Sequence, residues 1–317
     1  MLADLEQAAA VVHATMPPTP QISWPLLSAR AGCDLWVKHE NHTPVGSFKL
    51  RGALVYVGGL SPRPTGLIAA TRGNFGQSMA FAARKVGIPI SIVVPHGNSR
   101  EKNAATRALG AELIECGDHF EEAVAHAERV AAERGLHMTR SFHPSLVRGV
   151  ASASLELFRG VPDLDVVYVA IGQGSCICGA VAARDALGLR TEIVGVVSDR
   201  LPAYARSFEA GHAIPTPAAE ASAETIADGV AVRAPVAEAV DIIRRGVAGV
   251  VTVSEDAIRS AMRAYFTDTH NVAEGAGAVG LAAVLTDRSR VAGKRVAVFL
   301  SGGNVDRPVF RDVLADA

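Results

Sequence analysis

The sequence predicts an α/β protein with two lobes, each built around a parallel sheet. From about residue 66 onwards, short apolar runs alternate with stretches of helical periodicity. The runs are apolar throughout, as strands are when helices cover both faces of a parallel sheet. The chain is also 317 residues long, about twice the size of a typical single domain. These observations leave one large α/β domain or two lobes, and we interpret the pattern as two α/β lobes.

The first group of elements predicts a small lobe at 61–145. Its predicted strands are 66–70, 88–94, 111–115 and 136–140. A long amphipathic helix precedes the last strand, because Phe120, Val124, Ala127 and Val130 recur at helical spacing. Helices of this kind cover a parallel sheet with their apolar face.

The second group of elements, together with the N-terminus, predicts a large lobe made of 1–60 and 146–317. Its predicted strands are 166–170, 192–197, 250–253 and 296–300. The polar stretch 201–235 contains several prolines and no clear period. We expect this stretch to be an irregular segment beside a ligand site.

Composition and charge exclude several classes of protein. Lys and Arg number 31 against 32 Asp and Glu, so no basic field for nucleic acid is expected. The apolar runs are too short to span a membrane, and the first residues carry no basic region of a signal peptide. Four cysteines are too few for a disulfide scaffold. We therefore expect a cytoplasmic protein without nucleic-acid or membrane partners.

Three glycine-containing turns each follow a predicted strand, at 71–77, 172–179 and 301–304. The first turn contains Gly73 and Asn74 and precedes a helical stretch. Backbone N–H groups at the start of a helix bind a carboxylate or a phosphate well. Each turn also fits an ordinary loop in which Thr, Ser or Asn caps the following helix. A single turn therefore does not identify a ligand.

The turn at 172–179 has to be compared with the fingerprint of dinucleotide-binding proteins. That fingerprint has a third glycine where this chain has Ile177, and the next glycine is Gly179. Asp199 also lies somewhat farther along the chain than the usual ribose-binding acid. The turn by itself indicates a phosphate site, and a nicotinamide-dependent oxidoreductase stays open as an alternative.

Lys49 is a candidate for covalent chemistry. It is one of only five lysines, and it lies between Phe48 and Leu50 just after a Pro/Gly-containing turn. An amine in an apolar setting has a lowered pKa, which suits it to form an imine with a carbonyl group. The alternative is a surface lysine whose stem covers apolar neighbours.

A lysine for an imine, a Gly/Ser cradle for one phosphate, an Asn for a phenolic oxygen and a Ser for a ring nitrogen describe pyridoxal 5′-phosphate. With these motifs the chain resembles the fold-type II pyridoxal-phosphate enzymes, specifically the threonine/serine dehydratase and serine racemase group. The resemblance extends from Thr19 to Asn304 and implies a tryptophan synthase β-like fold. The motifs that carry it, in chain order, are 47–53, Gly73-Asn74, the Gly172 turn, 225–229, Glu274 and 301–304.

The resemblance implies a role for each cofactor-binding residue. Lys49 would hold the cofactor and take the Cα proton, and Phe48 would lie beside the ring. Asn74 would contact the ring 3′-oxygen, and Ser301 would face the ring nitrogen. The residues implied for the phosphate are Gly172, Gln173, Gly174, Ser175 and Cys176.

The implied substrate site departs from the family pattern. Its residues are Ser47, Thr71, Arg72, Gly73, Asn74 and Phe75. The family's loop usually reads Ser-Ser-Gly-Asn-His, so Arg72 replaces the Ser that acts as second base in the racemases. Arginine stays protonated and cannot accept a proton, so racemisation is not expected. Val197 occupies the position of an acidic cation ligand in the racemases, and we expect no metal site.

The resemblance implies a dehydratase that converts L-threonine, L-serine or a 3-substituted serine to the 2-keto acid and ammonia. Within the family, the alternative is an enzyme for a bulky or an acidic substrate, such as phenylserine or 3-hydroxyaspartate. Arg72 favours an acidic substrate and Phe75 an apolar one, so the sequence leaves this choice open. A homodimer is the family expectation.

Overall fold

The computed structural model describes residues 1–220 and 223–315. The α-helices of the described residues are α1 (Leu2–His13), α2 (Pro25–Ala31), α3 (Lys49–Gly58), α4 (Asn74–Val86), α5 (Arg100–Ala108), α6 (Phe120–Arg134), α7 (Pro144–Gly160), α8 (Ser175–Ala186), α9 (Ala203–Ala210), α10 (Ala237–Gly246), α11 (Glu255–Thr269), α12 (Gly275–Thr286), α13 (Arg288–Val291) and α14 (Arg307–Ala315). The strands are β1 (Gln21–Ser23), β2 (Asp34–His39), β3 (Leu67–Ala70), β4 (Ile90–Val94), β5 (Glu112–Glu115), β6 (His137–Met138), β7 (Val166–Ala170), β8 (Glu192–Ser198), β9 (Gly249–Val253) and β10 (Arg295–Leu300).

The strands form two sheets, which confirms the predicted α/β fold class. The larger sheet has the order β1-β2-β10-β7-β8-β9 and the smaller one β5-β4-β3-β6. Neighbouring strands are parallel except at the edge of the larger sheet, where β1 is antiparallel to β2. We call β3–β6 with α4–α6 the small lobe, and the larger sheet with its helices the large lobe. The residue boundaries of the two lobes stay a prediction.

The sequence assigns no strand before residue 66, and this is wrong for β1 and β2. β1 is only three residues long, too short for a periodic signal. β2 ends with Lys38 and His39, which are both fully buried. A charged and a polar side chain at these inward positions interrupt the apolar run by which a buried strand is recognised.

Both faces of the larger sheet are covered by apolar side chains. Val167 and Val169 of β7 pack on one face with α7, α8 and α10, whereas Val166 and Tyr168 pack on the other with α11 and α12. This alternation follows from the two-residue period of a strand. Helix α12 is almost completely buried, which explains why its sequence is apolar on every side.

The stretch 201–235, predicted as irregular, is helical in part, because it contains α9 and a short 3₁₀ turn at Asp228–Val230. Two of its residues, 221 and 222, lie outside the described residues. In the part of the chain that the structure describes, no helix is both long and apolar enough to cross a membrane.

Candidate active site

A cavity of about 380 Å³ lies where parallel strands of both sheets end. The turn at 71–75 follows β3, the turn at 172–176 follows β7, and Ser301 follows β10. Ligands of open α/β sheets bind outside the carboxyl ends of the strands, where chain segments diverge. The volume is in the range of small-molecule sites.

The structure brings the predicted site residues together, with one exception. The cavity is lined by Phe48, Lys49, Thr71, Arg72, Gly73, Asn74, Phe75, Gly172, Gln173, Gly174, Ser175, Cys176 and Ser301. Ser47 is the exception: it does not line the cavity, it is fully buried, and its backbone pairs with Gly302. Its predicted contact with a substrate, like the individual role of each lining residue, stays a prediction.

Lys49 is the first residue of α3 and faces the cavity. Its Nζ lies 4.6 Å from the centre of the Phe48 ring. Within residues 1–220 and 223–315 the amine has no hydrogen bond and no ion pair. Burial lowers the pKa of Lys49, and the negative charge of Glu274 only partly opposes this effect. A neutral amine without a partner can act as a nucleophile and as a base.

The turn at 172–176 leads into α8 and is shaped for an anion. The backbone amides of Gln173, Ser175 and Cys176 donate to no acceptor among the described residues. Gly174 has a φ of 100°, a conformation that L side chains rarely adopt. Unsatisfied amides at the start of a twelve-residue helix make an anion site.

The turn at 71–75 leads into α4 in the same way. The Thr71 hydroxyl accepts a hydrogen bond from the Gly73 amide at 3.1 Å. The next two amides, of Asn74 and Phe75, have no acceptor in the described part of the chain. They are available for a carboxylate, so the cavity offers two separate anion sites with Lys49 as a third polar feature.

Asn74 is held by side chains on both sides. Its Oδ1 accepts a hydrogen bond from Asn304 Nδ2 at 2.9 Å, and its Nδ2 donates to Glu274 Oε1. Ser301 is less constrained, because its hydroxyl makes only a 3.4 Å contact with the carbonyl of Ala276. The amide therefore has a fixed orientation, and the hydroxyl is free to bond a ligand.

Sequence reasoning missed an ionic group in the cavity wall. Lys102 lies between Asp228 and Glu274, and all three line the cavity. Glu274 and the 225–229 segment are among the motifs that carry the family resemblance, but those motifs alone did not imply a role for them in the site. Lys102 had one signal, since it is one of only five lysines in the chain. Three residues of α6 also complete the wall: Phe120, Glu121 and Val124.

A comparison with known families decides the identity. A family model described as pyridoxal-phosphate dependent enzyme matches residues 13–302. The chain belongs to this family. Its cofactor is therefore pyridoxal phosphate, as the sequence predicts, and the nicotinamide-dependent alternative is set aside.

Individual proteins are similar over nearly the same length. The L-threonine ammonia-lyase of Thermotoga maritima is 36% identical over 89% of this chain and 70% of that protein. The L-threo-3-hydroxyaspartate ammonia-lyase of Saccharomyces cerevisiae is 32% identical over 91% of this chain and 88% of that protein. The crystal structure of the threonine deaminase from T.th. superposes with a TM-score of 0.90 and 34% identity, covering 96% of this chain and 98% of that chain.

The residues present in the cavity fit pyridoxal phosphate. The aldehyde of the cofactor needs an amine, and Lys49 offers one that has no partner among the described residues. The phosphate needs several donors, and the unsatisfied amides at 173–176 supply them at a helix N-terminus. The ring nitrogen needs a hydrogen-bond partner, and the Ser301 hydroxyl is available to form that bond. These atoms belong to three separate elements that meet only in the folded chain.

Proposed function

We propose that this enzyme is a hydroxyamino-acid dehydratase acting on L-threonine, L-serine or a 3-substituted serine. The products are the 2-keto acid and ammonia. The proposal rests above all on the Lys49 amine, whose pKa burial lowers and which has no partner among the described residues, in a cavity that also has two free anion sites. It is supported by the relatives named L-threonine ammonia-lyase and L-threo-3-hydroxyaspartate ammonia-lyase.

Pyridoxal phosphate, when bound, supplies an electron-withdrawing ring that makes the Cα–H bond of an amino acid acidic. Lys49 accepts that proton at Nζ, because burial favours its neutral form. The amides of Asn74 and Phe75 bind the substrate carboxylate and so fix the direction of the Cα–H bond. The β-hydroxyl then leaves as water with the proton that Lys49 Nζ took from Cα, and hydrolysis of the released unsaturated amine gives the keto acid and ammonia.

Ser301 influences which reaction follows. A serine hydroxyl is neutral, so it can bond the ring nitrogen without stabilising a proton on it, as a carboxylate would. A less protonated ring is a weaker electron sink. In this proposal, Ser301 therefore favours elimination over transamination.

The test is product formation by the enzyme loaded with pyridoxal phosphate. L-Threonine and L-serine are supplied, and keto acid and ammonia are measured together. Lys49→Ala should lower kcat by about 10³-fold or more, in the range of a lost acid–base group. Lys85→Ala is the matched control, because Lys85 is exposed and does not line the cavity. An enzyme that releases no keto acid from any hydroxyamino acid, or a Lys49→Ala variant with full activity, contradicts the proposal.

A second substrate class, the acidic 3-hydroxy amino acids, is favoured by Arg72. This side chain lines the cavity, is half-buried, and makes no ion pair or hydrogen bond with any described residue. Lys102, another cation of the wall, is already paired with carboxylates. A partly desolvated guanidinium without a partner suits a second carboxylate, as in 3-hydroxyaspartate.

The apolar wall points to a third class, with a bulky 3-substituent. Phe75, Phe120 and Val124 line the cavity on the same lobe as Arg72. A panel of L-threonine, 3-phenylserine and 3-hydroxyaspartate separates the classes by kcat/KM. If the acidic substrate is preferred, Arg72→Ala should lower kcat/KM for 3-hydroxyaspartate about tenfold more than for L-threonine. An equal loss of kcat/KM on all three substrates would show that Arg72 binds the α-carboxylate that these substrates share.

We also infer a cytoplasmic homodimer. All four cysteines are free thiols, as expected in a reducing compartment. Exposed apolar side chains support self-association: Phe266 of α11 packs edge-on against Phe310 of α14, and Val309 beside it is also exposed. Light scattering coupled to size-exclusion chromatography measures the mass directly. A mass of one chain would contradict the dimer.

A further inference from the structure

We propose that Lys102 is a positioning residue that joins the two lobes and keeps Glu274 ionised beside Asn74. The inference concerns the cofactor side of the site, and it rests on the proposed function only where a rate is measured. Lys102 does not need to contact the substrate in this role. It acts through Glu274, which in turn bonds Asn74.

The ion pairs of Lys102 cross from one lobe to the other. Lys102 belongs to α5 of the small lobe, and its Nζ lies 2.6 Å from Asp228 Oδ2 and 3.2 Å from Glu274 Oε2. Both carboxylates belong to the large lobe, in the 228–230 turn and immediately before α12. The lysine side chain is only 7% exposed. These contacts therefore join the two lobes beside the cavity.

Gly73 provides the space for this lysine. A Cβ atom at position 73 would lie 2.5 Å from Lys102 Cδ and 3.3 Å from its Nζ. A side chain at this position would displace the Lys102 stem, which lies directly against the turn that opens α4.

Lys102 is the lasting positive charge beside Glu274. Burial raises the pKa of Glu274, and the charge of Asp228 raises it further, whereas Lys102 and Lys49 oppose the rise. Burial lowers the pKa of Lys49 and so disfavours its charged form. The pKa of Lys102 is raised above its usual range by Glu274 and Asp228, which outweigh its own burial. Without Lys102, the pKa of Glu274 is expected to rise further, so that its carboxylate takes up a proton more readily.

Protonation of Glu274 would disturb Asn74. Asn74 Nδ2 donates to Glu274 Oε1, while Asn304 donates to Asn74 Oδ1, so the amide is held from two sides. A hydrogen bond from an amide to a carboxylate is about twice as strong as one to a neutral acid. Loss of the charge therefore loosens the side chain predicted to contact the cofactor ring.

The test compares Lys102→Met, which keeps the length of the stem, with Lys102→Arg, which keeps the charge. Two quantities are measured against pH: the dissociation constant of pyridoxal phosphate from the apo-protein, by fluorescence titration, and kcat/KM. In Lys102→Met the acid limb of both profiles should move upwards by at least one pH unit, so that affinity falls about tenfold at pH 6 and recovers at higher pH. Lys102→Arg should restore the wild-type limb. A loss that is equal at every pH would show a merely structural role and overturn the proposal.

Two further variants identify Glu274 as the group that titrates. Asp228→Asn removes a negative neighbour of Glu274. The acid limb of the pH profile of this variant should therefore move to lower pH or stay in place, whereas that of Lys102→Met moves to higher pH. In a Glu274→Gln background, Lys102→Met and Lys102→Arg should give cofactor-binding profiles with the same pH dependence. A shift that persists in this background assigns the effect to another group and overturns the proposal. Cofactor binding does not depend on which substrate is used, so this result stands apart from a failure of the proposed dehydratase activity.

Discussion

Two side chains of the cavity, Lys49 and Ser301, have polar atoms that the protein leaves largely free. Lys49 has no partner among the described residues, and the Ser301 hydroxyl makes a single contact at the long limit of a hydrogen bond. By contrast, Glu274 accepts a hydrogen bond from Asn74 and forms an ion pair with Lys102. The first two side chains are therefore available to a ligand, and the other three form the frame that holds the site.

Ser301→Ala is expected to weaken cofactor binding while the fold survives. The substitution removes one hydrogen bond to the ring, about 1–2 kcal/mol, or roughly a tenfold change in the dissociation constant. Ser301→Thr keeps the hydroxyl and is the control, with affinity close to wild type. The dissociation constant of pyridoxal phosphate is measured on apo-protein. If Ser301→Ala binds as tightly as wild type, Ser301 only shapes the turn after β10.

The enzyme is expected to eliminate water without racemising its substrate. Racemisation needs a proton acceptor on each face of Cα, and Lys49 supplies only one. The turn where the second base would lie has Arg72 instead, and a guanidinium group offers no proton acceptor. L-Serine is incubated in deuterated water, and the chirality of the serine is followed beside pyruvate. D-Serine formed as fast as pyruvate would refute the one-base mechanism, and Arg72→Ser is the variant expected to introduce it.

Short motifs make some site residues predictable and hide others. Asn74 and Ser301 were predictable because each follows a predicted strand in a short turn, and Lys49 because it lies in the apolar 47–53 motif just after a Pro/Gly-containing turn. Lys102 was not, because its role depends on Asp228, 126 positions away in the sequence. A pairing between two lobes leaves no periodic or local trace in the chain.

At the level of elements, the turn before α8 is braced from outside the cavity. Tyr204 of α9 donates a hydrogen bond to the Gln173 carbonyl and accepts one from the Val236 amide, both at 3.1 Å. Tyr204 is 2% exposed. Its hydroxyl therefore joins the anion-binding turn to the segment before α10, and it fixes the direction of the amides that are free for a phosphate.

Tyr204→Phe is expected to lower the affinity for pyridoxal phosphate and the stability of the protein. Both hydrogen bonds are lost and the buried Val236 amide loses its acceptor, at a cost of about 1–3 kcal/mol. Tyr265→Phe is the matched control, since Tyr265 is also buried but its hydroxyl has no partner in the described structure. Calorimetry of holo- and apo-protein gives both quantities. Equal effects of the two substitutions would show that the brace does not matter.

Strands with apolar runs were predictable from the sequence, and strands with buried charges were not. Eight predicted strands correspond to β3–β10, each to within two residues at either end. β2 was missed because Lys38 and His39 are buried in it, and a charge is buried only where a partner exists elsewhere in the fold. Local propensity contains no information on that partner.

At the scale of the whole molecule, the partner of the buried Lys38 is Glu156. Both belong to a buried ionic cluster formed by Lys38, Glu40, Arg51 and Glu156. Arg51 donates to Glu40 Oε2 at 2.6 Å and to Glu156 Oε1 at 2.6 Å, and Lys38 donates to Glu156 Oε2 at 2.6 Å. These residues join β2, α3 and α7. Because α3 begins at Lys49, the cluster also fixes the helix that presents the amine to the cavity.

The cluster predicts a specific dependence of stability on pH. Burial alone would raise the pKa of Glu156, but hydrogen bonds and charge from Arg51 and Lys38 lower it to about 2. Its contribution to stability is therefore complete above the unfolded-state pKa of about 4.5 and is lost as the pH falls towards about 2. Glu156→Gln should cost about 3 kcal/mol at pH 7, and the gap to wild type should narrow below about pH 4.5.

The unfolding free energy of wild type and variant, measured in urea between pH 7 and pH 3, checks this prediction. Glu133→Gln is the control, because Glu133 forms an exposed i,i+4 pair with Arg129 and should change stability by less than about 0.5 kcal/mol. A gap between Glu156→Gln and wild type that is constant over the whole pH range would show that Glu156 does not titrate as the cluster predicts.

Covalent attachment at Lys49 is the feature on which the proposed chemistry depends. Borohydride reduction of the protein loaded with pyridoxal phosphate fixes the cofactor on the amine that holds it, and peptide mapping then identifies the residue. Lys38 and Lys102 are ion-paired and Lys85 is exposed, so none of them offers a neutral amine in the cavity. We predict the label on Lys49 alone, and its loss in Lys49→Ala. A label on another lysine, or a label that survives Lys49→Ala, would contradict the proposed active site.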